Sequence, residues 1–178
     1  PEAACPSIWT LALMKLTSKQ LGDLGEDHAA SLLRARGYAV EKLPVNAPMY
    51  DLRVTGKDAE FFVSVKVSRT KQHVSVGSPA SVSRLLSGNF VFAFMPKDAP
   101  EITNLDPLQY QLLILPAELV HDDRLRVHDA YWLSKGGDAG YRVMVKGYGS
   151  HHKQMWPVWV GHKEAWHQLP PSPTGGGA

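Results

Sequence analysis

Phe61-Phe62-Val63-Ser64-Val65-Lys66-Val67-Ser68 is the stretch from which the fold of this chain is read. It has the two-residue period of a β-strand, in which successive side chains point to opposite faces. Phe61, Val63, Val65 and Val67 share a wholly apolar face, which must be core, and Phe62, Ser64, Lys66 and Ser68 share a partly polar one. A strand-like run precedes it, Tyr50-Asp51-Leu52-Arg53-Val54, with Asp51 and Arg53 on one face and Tyr50, Leu52 and Val54 expected to point inward. Thr55-Gly56-Lys57-Asp58 is a turn signal between the two, so strands are expected at about 50–55 and 60–68. Paired through that turn, they set Asp51 beside Ser64 or Lys66.

Upstream, residues 18–36 read as an amphipathic helix with Leu21, Leu24, His28, Leu32 and Ala35 on one stripe. Thr17 or Ser18 can cap it and Gly37 can end it. Tyr38 to Leu43 reads as a first strand and Pro44 to Pro48 as a loop, giving a helix followed by a three-strand meander. Beyond lies a polar stretch, Arg69 to Ser78, then a short helix over 79–87 with Pro79 in its first turn and Gly88-Asn89 as its stop. Phe90 to Met95 and Tyr110 to Leu115 are apolar runs typical of strands buried on both faces, separated by a surface loop, Pro96 to Pro107. Pro116 opens a helix through about Val120, a further short helix is expected over 125–133, a strand over 141–146, and a terminal helix from Lys163 to Leu169. There is no internal repeat. The expected fold is an α/β three-layer domain with a mixed sheet, spanning 17–169 between an N-terminal extension, 1–16, and a flexible tail, 170–178.

Composition bounds the function. The 178 residues suffice for one domain with a proper core, 44% are apolar and 20% charged, and the net charge is +2. Any basic footprint for nucleic acid must therefore be local. The single Cys5 excludes an internal disulfide and fits a reducing, cytoplasmic setting. No apolar run approaches the ~18 residues of a membrane span. Ile8 to Met14 is apolar but short and lacks a basic segment before it, a poor signal peptide, and Met14 looks like a natural start.

The chemistry-bearing residues are few. Asp51 can bind Mg²⁺ or Mn²⁺, Lys66 can stabilise charge developing on a phosphate, and Glu26 projects from the border of the helix stripe, from where it can reach a metal or its water. The alternative is a cross-strand Asp51–Lys66 salt bridge on a solvated face, with Glu26 a helix-surface charge. Lys66, Arg69, Lys71 and His73 form a local basic cluster, which Arg84 can extend; it reads either as a grip on phosphates or as a solvated loop. His151 and His152 are adjacent rather than spaced for zinc. Trp156, Trp159 and Trp166 point to burial against the sheet more than to stacking on bases.

Gly25-Glu26 in the first helix, Tyr50-Asp51, and Ser64-Val65-Lys66 together resemble the PD-(D/E)XK nuclease superfamily, which includes restriction endonucleases and archaeal-type Holliday junction resolvases. Ser68-Arg69, the helix ending at Asn89, Phe90 to Met95, Leu112-Leu113-Ile114-Leu115-Pro116 and Lys163-Glu164-Ala165-Trp166 extend the likeness to small stand-alone bacterial members, over roughly residues 17–169. The resemblance implies a restriction-endonuclease-like core and a DNA substrate. It implies Asp51 as the metal-binding Asp, Lys66 as the catalytic Lys, Glu26 as the accessory acid and the Val65 carbonyl as a metal ligand. It also implies a possible homodimer, as such nucleases often cut both strands as pairs. Two positions depart from the pattern. Tyr50 replaces the Pro, which is harmless. Ser64 replaces the motif acid, and a neutral hydroxyl is a weak ligand for a hard cation. Glu26 is the best substitute carboxylate. The competing class is a non-catalytic module using the same sheet to bind nucleic acid or protein.

Overall fold

Helix α1, Ser18–Ala35, begins with a capping box: the Gln20 amide donates to Thr17 Oγ1 (3.2 Å) and the Thr17 amide donates to Gln20 Oε1 (2.8 Å). It ends in a Schellman turn, with the Gly37 amide on the Arg34 carbonyl, the Tyr38 amide on the Leu33 carbonyl, and Gly37 at φ +86°. In this computed structural model, residues 16–45, 47, 49–69, 73–77, 79–97, 109–123, 141–144 and 157–174 are described.

The buried stripe of α1 is Leu21, Gly25, Ala29, Ala30 and Leu33. The expected stripe is rotated from it: Leu24 and Ala35 are exposed, and His28 and Leu32 are half-buried. The error comes from weighting large side chains, whereas the helix approaches the sheet through its small ones.

The meander forms as expected. Strands β1, Ala39–Lys42, β2, Leu52–Thr55, and β3, Glu60–Val67, pair antiparallel, with Leu52 opposite Val63 and Arg53 opposite Phe62. The apolar run Phe90–Pro96 becomes strand β5, parallel to β3, with Ser64 opposite Val91 and Lys66 opposite Ala93. Tyr110–Pro116 becomes β6, antiparallel to β5, completing a mixed five-stranded sheet in the order β1-β2-β3-β5-β6. Residues 162–164 line the outer side of β6, the Ile114 amide bonding to the His162 carbonyl and the Glu164 amide to the Leu112 carbonyl, which covers that edge.

Each face of the sheet carries a core. Leu52, Val54, Phe61, Val63, Phe92 and Ile114 pack with α1 on one side. On the other, Val91, Ala93, Leu113 and Leu115 pack with Trp159, with Val120 of helix α3, Ala117–Asp123, and with Val74 and Val76 of strand β4, His73–Gly77. The predicted face of Phe61, Val63, Val65 and Val67 does meet α1. Trp159 is fully buried, as its segment was expected to be.

Several expectations are corrected. The polar stretch at 69–78 contains β4, which pairs antiparallel with β7, Tyr141–Met144, in a separate two-stranded sheet. Val74 and Val76 alternate with Ser75, too short a pattern to stand out. The helix expected over 79–87 is a single turn, α2, Pro79–Val82, and the terminal helix shrinks to a 3-10 turn at Trp166–Gln168. Tyr50 does not share the inward face of Leu52 and Val54: it precedes β2 and packs in the opposite core, its hydroxyl accepting from the Leu86 amide (2.9 Å). Residues 170–174, expected to trail as a tail, lie against the body. The Tyr38 hydroxyl donates to the Pro170 carbonyl (2.5 Å), the Lys57 amide donates to the Pro171 carbonyl (2.8 Å), and Ser172 is buried. The expected helix at 125–133, most of the loop at 96–107, and His151, His152 and Trp156 lie outside the described residues, as do residues 1–15. Among the described residues no helix is long and apolar enough to cross a membrane.

His28 illustrates how the helix is seated. Its ring meets Phe94 and Tyr110 edge to face, at centroid distances of 5.7 and 5.4 Å, and Nε2 is hydrogen-bonded to the Tyr110 hydroxyl. Burial holds its pKa below the ordinary histidine range. The folded state therefore binds this proton less readily than the unfolded chain, so stability is full above the unfolded pKa of about 6.5 and is lost as pH falls through it. Urea unfolding at pH 7.5 and 5.5 is expected to show a larger loss of stability for the wild type than for His28→Gln; equal losses would assign the pH dependence elsewhere.

Candidate active site

The edge of β3 beyond the end of β2 is where the candidate residues meet. Asp51 immediately precedes β2, and its backbone amide donates to the Val63 carbonyl (2.9 Å) while its carbonyl accepts from the Leu43 amide (2.9 Å). Its side chain then takes the place that a further residue of β2 would fill. Oδ2 accepts from the Val65 amide (2.6 Å), stands 3.4 Å from the Ser64 hydroxyl, and lies 3.9 Å from Lys66 Nζ. The adjacency expected of Asp51, Ser64 and Lys66 is thus realised around one oxygen atom. Ser64 is 2% exposed, while the Asp51 and Lys66 side chains are each just under a third exposed.

Glu26 follows Gly25 on α1, the point where the helix lies closest to β3, and it is not among the residues that line the cleft over Asp51, Ser64 and Lys66. A Cβ on Gly25 would lie 2.3 Å from Val67 Cγ2 and 3.5 Å from Val65 Cγ1, so only glycine lets α1 lie so close to β3. The Glu26 side chain, 26% exposed, pairs with Lys42 Nζ at 3.3 Å. Lys42 also reaches Asp27 Oδ1 at 2.7 Å. Burial raises the Glu26 carboxyl above its ordinary range; the Lys42 ammonium opposes that rise and the charge of Asp51 adds to it. No set of three His, Cys, Asp or Glu side chains forms a metal cage among the described residues.

A cleft of about 170 Å³ opens over the polar face of β3, lined by Met49, Asp51, Ser64, Lys66, Val76, Gly77, Ser81 and Leu85. Asp51, Ser64 and Lys66 form its floor, and β4 with the turn after it forms a wall. Met49 is held at φ +84°, uncommon for a side chain of this kind, so the lip of the cleft stores some backbone strain.

The proposed phosphate-gripping residues are less gathered. The Arg69 guanidinium is half-buried and donates through Nη2 to the Leu16 carbonyl, which ties the chain after β3 to the start of α1. Arg84 is exposed beyond α2. His73 opens β4 opposite Met144, and Lys71 lies outside the described residues. Sequence reasoning missed Lys42, Met49, Gly77 and Leu85. Only Lys42 carried a signal, a lone cation at the end of a strand adjoining the helix with Glu26.

No protein-family model matches the chain. Over 67 residues it is 33% identical to a UPF0102 protein of Dehalococcoides mccartyi, a match covering 38% of this chain and 54% of that protein. The chain thus spans about half the length of the curated relative it matches. Among solved structures it is similar to a bacterial homing endonuclease, with a TM-score of 0.50 and 18% identity over 85% of this chain and 89% of that one. A Holliday junction resolvase of Archaeoglobus fulgidus superposes with a TM-score of 0.41 and 15% identity, over 55% of this chain and 74% of its own.

Proposed function

We propose that this chain, whose fold is similar to that of a bacterial homing endonuclease, is a DNA-acting protein of the PD-(D/E)XK type that hydrolyses phosphodiester bonds with the help of a divalent cation. The observation that supports this most is the gathering of the Val65 amide, Ser64 and Lys66 around Asp51 Oδ2 at the floor of a cleft.

The donor set fits a hard cation. Mg²⁺ needs only one or two protein carboxylates, the rest of its shell coming from water and phosphate oxygens. Asp51 and Glu26 are carboxylates whose charges already work against each other, and Asp51 Oδ1 accepts no hydrogen bond among the described residues. These two side chains, with the Val65 carbonyl, would hold Mg²⁺ or Mn²⁺. When bound, the cation would polarise a phosphoryl oxygen and acidify a water. Lys66 supplies a fixed positive charge where the phosphate gains negative charge. Ser64 adds no charge; its hydroxyl and the Val65 amide fix the rotamer of Asp51. Arg69, Lys71, His73 and Arg84 are assigned to the phosphate backbone, residues 17–169 to the nuclease domain, and a homodimer would present two sites to a duplex.

Supercoiled plasmid is expected to be nicked in Mg²⁺ or Mn²⁺ and left intact once EDTA is added. A second reading, a nucleic-acid- or protein-binding module without catalysis, is favoured by Ser64 in place of the motif acid. Tight DNA binding with no nicking in either metal would establish it and end the nuclease reading.

A further inference from the structure

Lys42 is the one cation within bonding reach of Glu26 among the described residues. It ends β1, one residue before Leu43, whose amide donates to the carbonyl of Asp51. Its ammonium stands 3.3 Å from Glu26 Oε2 and 2.7 Å from Asp27 Oδ1. Glu26 is half-buried, which makes its charge costly, whereas the Asp27 side chain is 65% exposed. A half-buried carboxylate loses hydration at a cost, and the ammonium beside Glu26 offsets part of it while bridging to Asp27.

We propose that Lys42 is a positioning residue that serves as the built-in counter-ion of Glu26, holding the carboxylate until a divalent cation takes it. The inference rests on the nuclease reading, because it needs Glu26 to be a metal-facing group. Asp27 makes the exchange easy. Lys42 can yield Glu26 and keep its shorter contact with Asp27, so the ammonium is never left without a partner. Lys42 then opposes metal binding in two ways, by competing for Glu26 and by placing a like charge near the incoming ion.

Calorimetric titration with Mn²⁺ tests this without any appeal to cleavage. Lys42→Met is expected to bind Mn²⁺ about three- to fivefold more tightly than wild type, the scale of a partly exposed ion pair. Lys42→Arg, which keeps the charge, is expected to bind as wild type does. In a Glu26→Gln background the gain from Lys42→Met is expected to vanish, because the competition acts through that carboxylate. Equal or weaker Mn²⁺ binding by a folded Lys42→Met protein, with wild type binding measurably, overturns the role of Lys42 and leaves the nuclease reading standing. Absence of Mn²⁺ binding in wild type and Lys42→Met alike, at millimolar metal, overturns both.

Discussion

Asp51→Asn is expected to lower plasmid nicking by at least 10²–10³-fold, the scale on which a single charge-stabilising group acts in an active site. The substitution removes one negative charge and preserves the shape. An Asn oxygen can still accept from the Val65 amide, which Asp51 Oδ2 receives at 2.6 Å, so the strand edge keeps its bond. Asp51→Ala is expected to be equally inactive but also less stable, by about 1–3 kcal/mol, because it strands that amide, Val65 being 8% exposed. The pair separates chemistry from folding. Urea unfolding monitored by circular dichroism gives the stability of each, and the plasmid assay gives the activity. Wild-type nicking by a folded Asp51→Asn protein would remove Asp51 from the reaction and collapse the proposed site.

Phe92→Ala is expected to destabilise the protein by about 3–5 kcal/mol, a large share of the 5–15 kcal/mol that holds a typical domain together. Phe92 is fully buried in β5, between β3 and β6, and its ring meets that of Trp166 edge to face at 5.7 Å. Removing it opens a void in the layer beneath α1, where no neighbour can collapse without moving a strand. The urea midpoint is expected to fall by roughly 1–3 M, taking the usual denaturant dependence of small proteins. Phe92→Leu, which refills most of the space, is expected to lose less. A midpoint shift below about 0.5 M for Phe92→Ala would mean that the first core tolerates cavities and is less tightly packed than the full burial of Phe61, Phe92 and Phe94 indicates.

The sheet was legible wherever one residue pattern had one physical outcome. Phe61 to Val67 alternates, and it forms a strand with the predicted apolar face on the core. Phe90 to Met95 is an unbroken apolar run and Tyr110 to Leu115 is broken only by Gln111; the first is a central strand and the second a largely buried edge strand covered by residues 162–164. The helix was legible in extent but not in orientation, because Gly25 and Ala29 contribute through the room they leave rather than through their own hydrophobicity. The pairing of Asp51 with Ser64 and Lys66 followed from the turn between their strands. The bond from the Val65 amide to Asp51 did not, since it depends on β2 starting one residue after the acid. Lys42 escaped notice for the same reason as β4: its meaning lies in contacts between segments that no local period encodes. Trp166 was expected to be buried, and its ring is half-buried with the Arg36 guanidinium 3.5 Å above its centre.

The contact of Tyr38 with Pro170 joins positions 132 residues apart, and with the Lys57–Pro171 bond it fastens the end of α1 and the β2–β3 turn to the same short stretch. The meander it spans closes through neighbours in sequence, so it can assemble early; the stretch at 170–171 must wait for a chain that has already found its shape. It works as a clasp closed over finished cloth. Such a piece can come undone by itself and fasten again while the weave stays whole, far along the chain from Asp51 in the cleft.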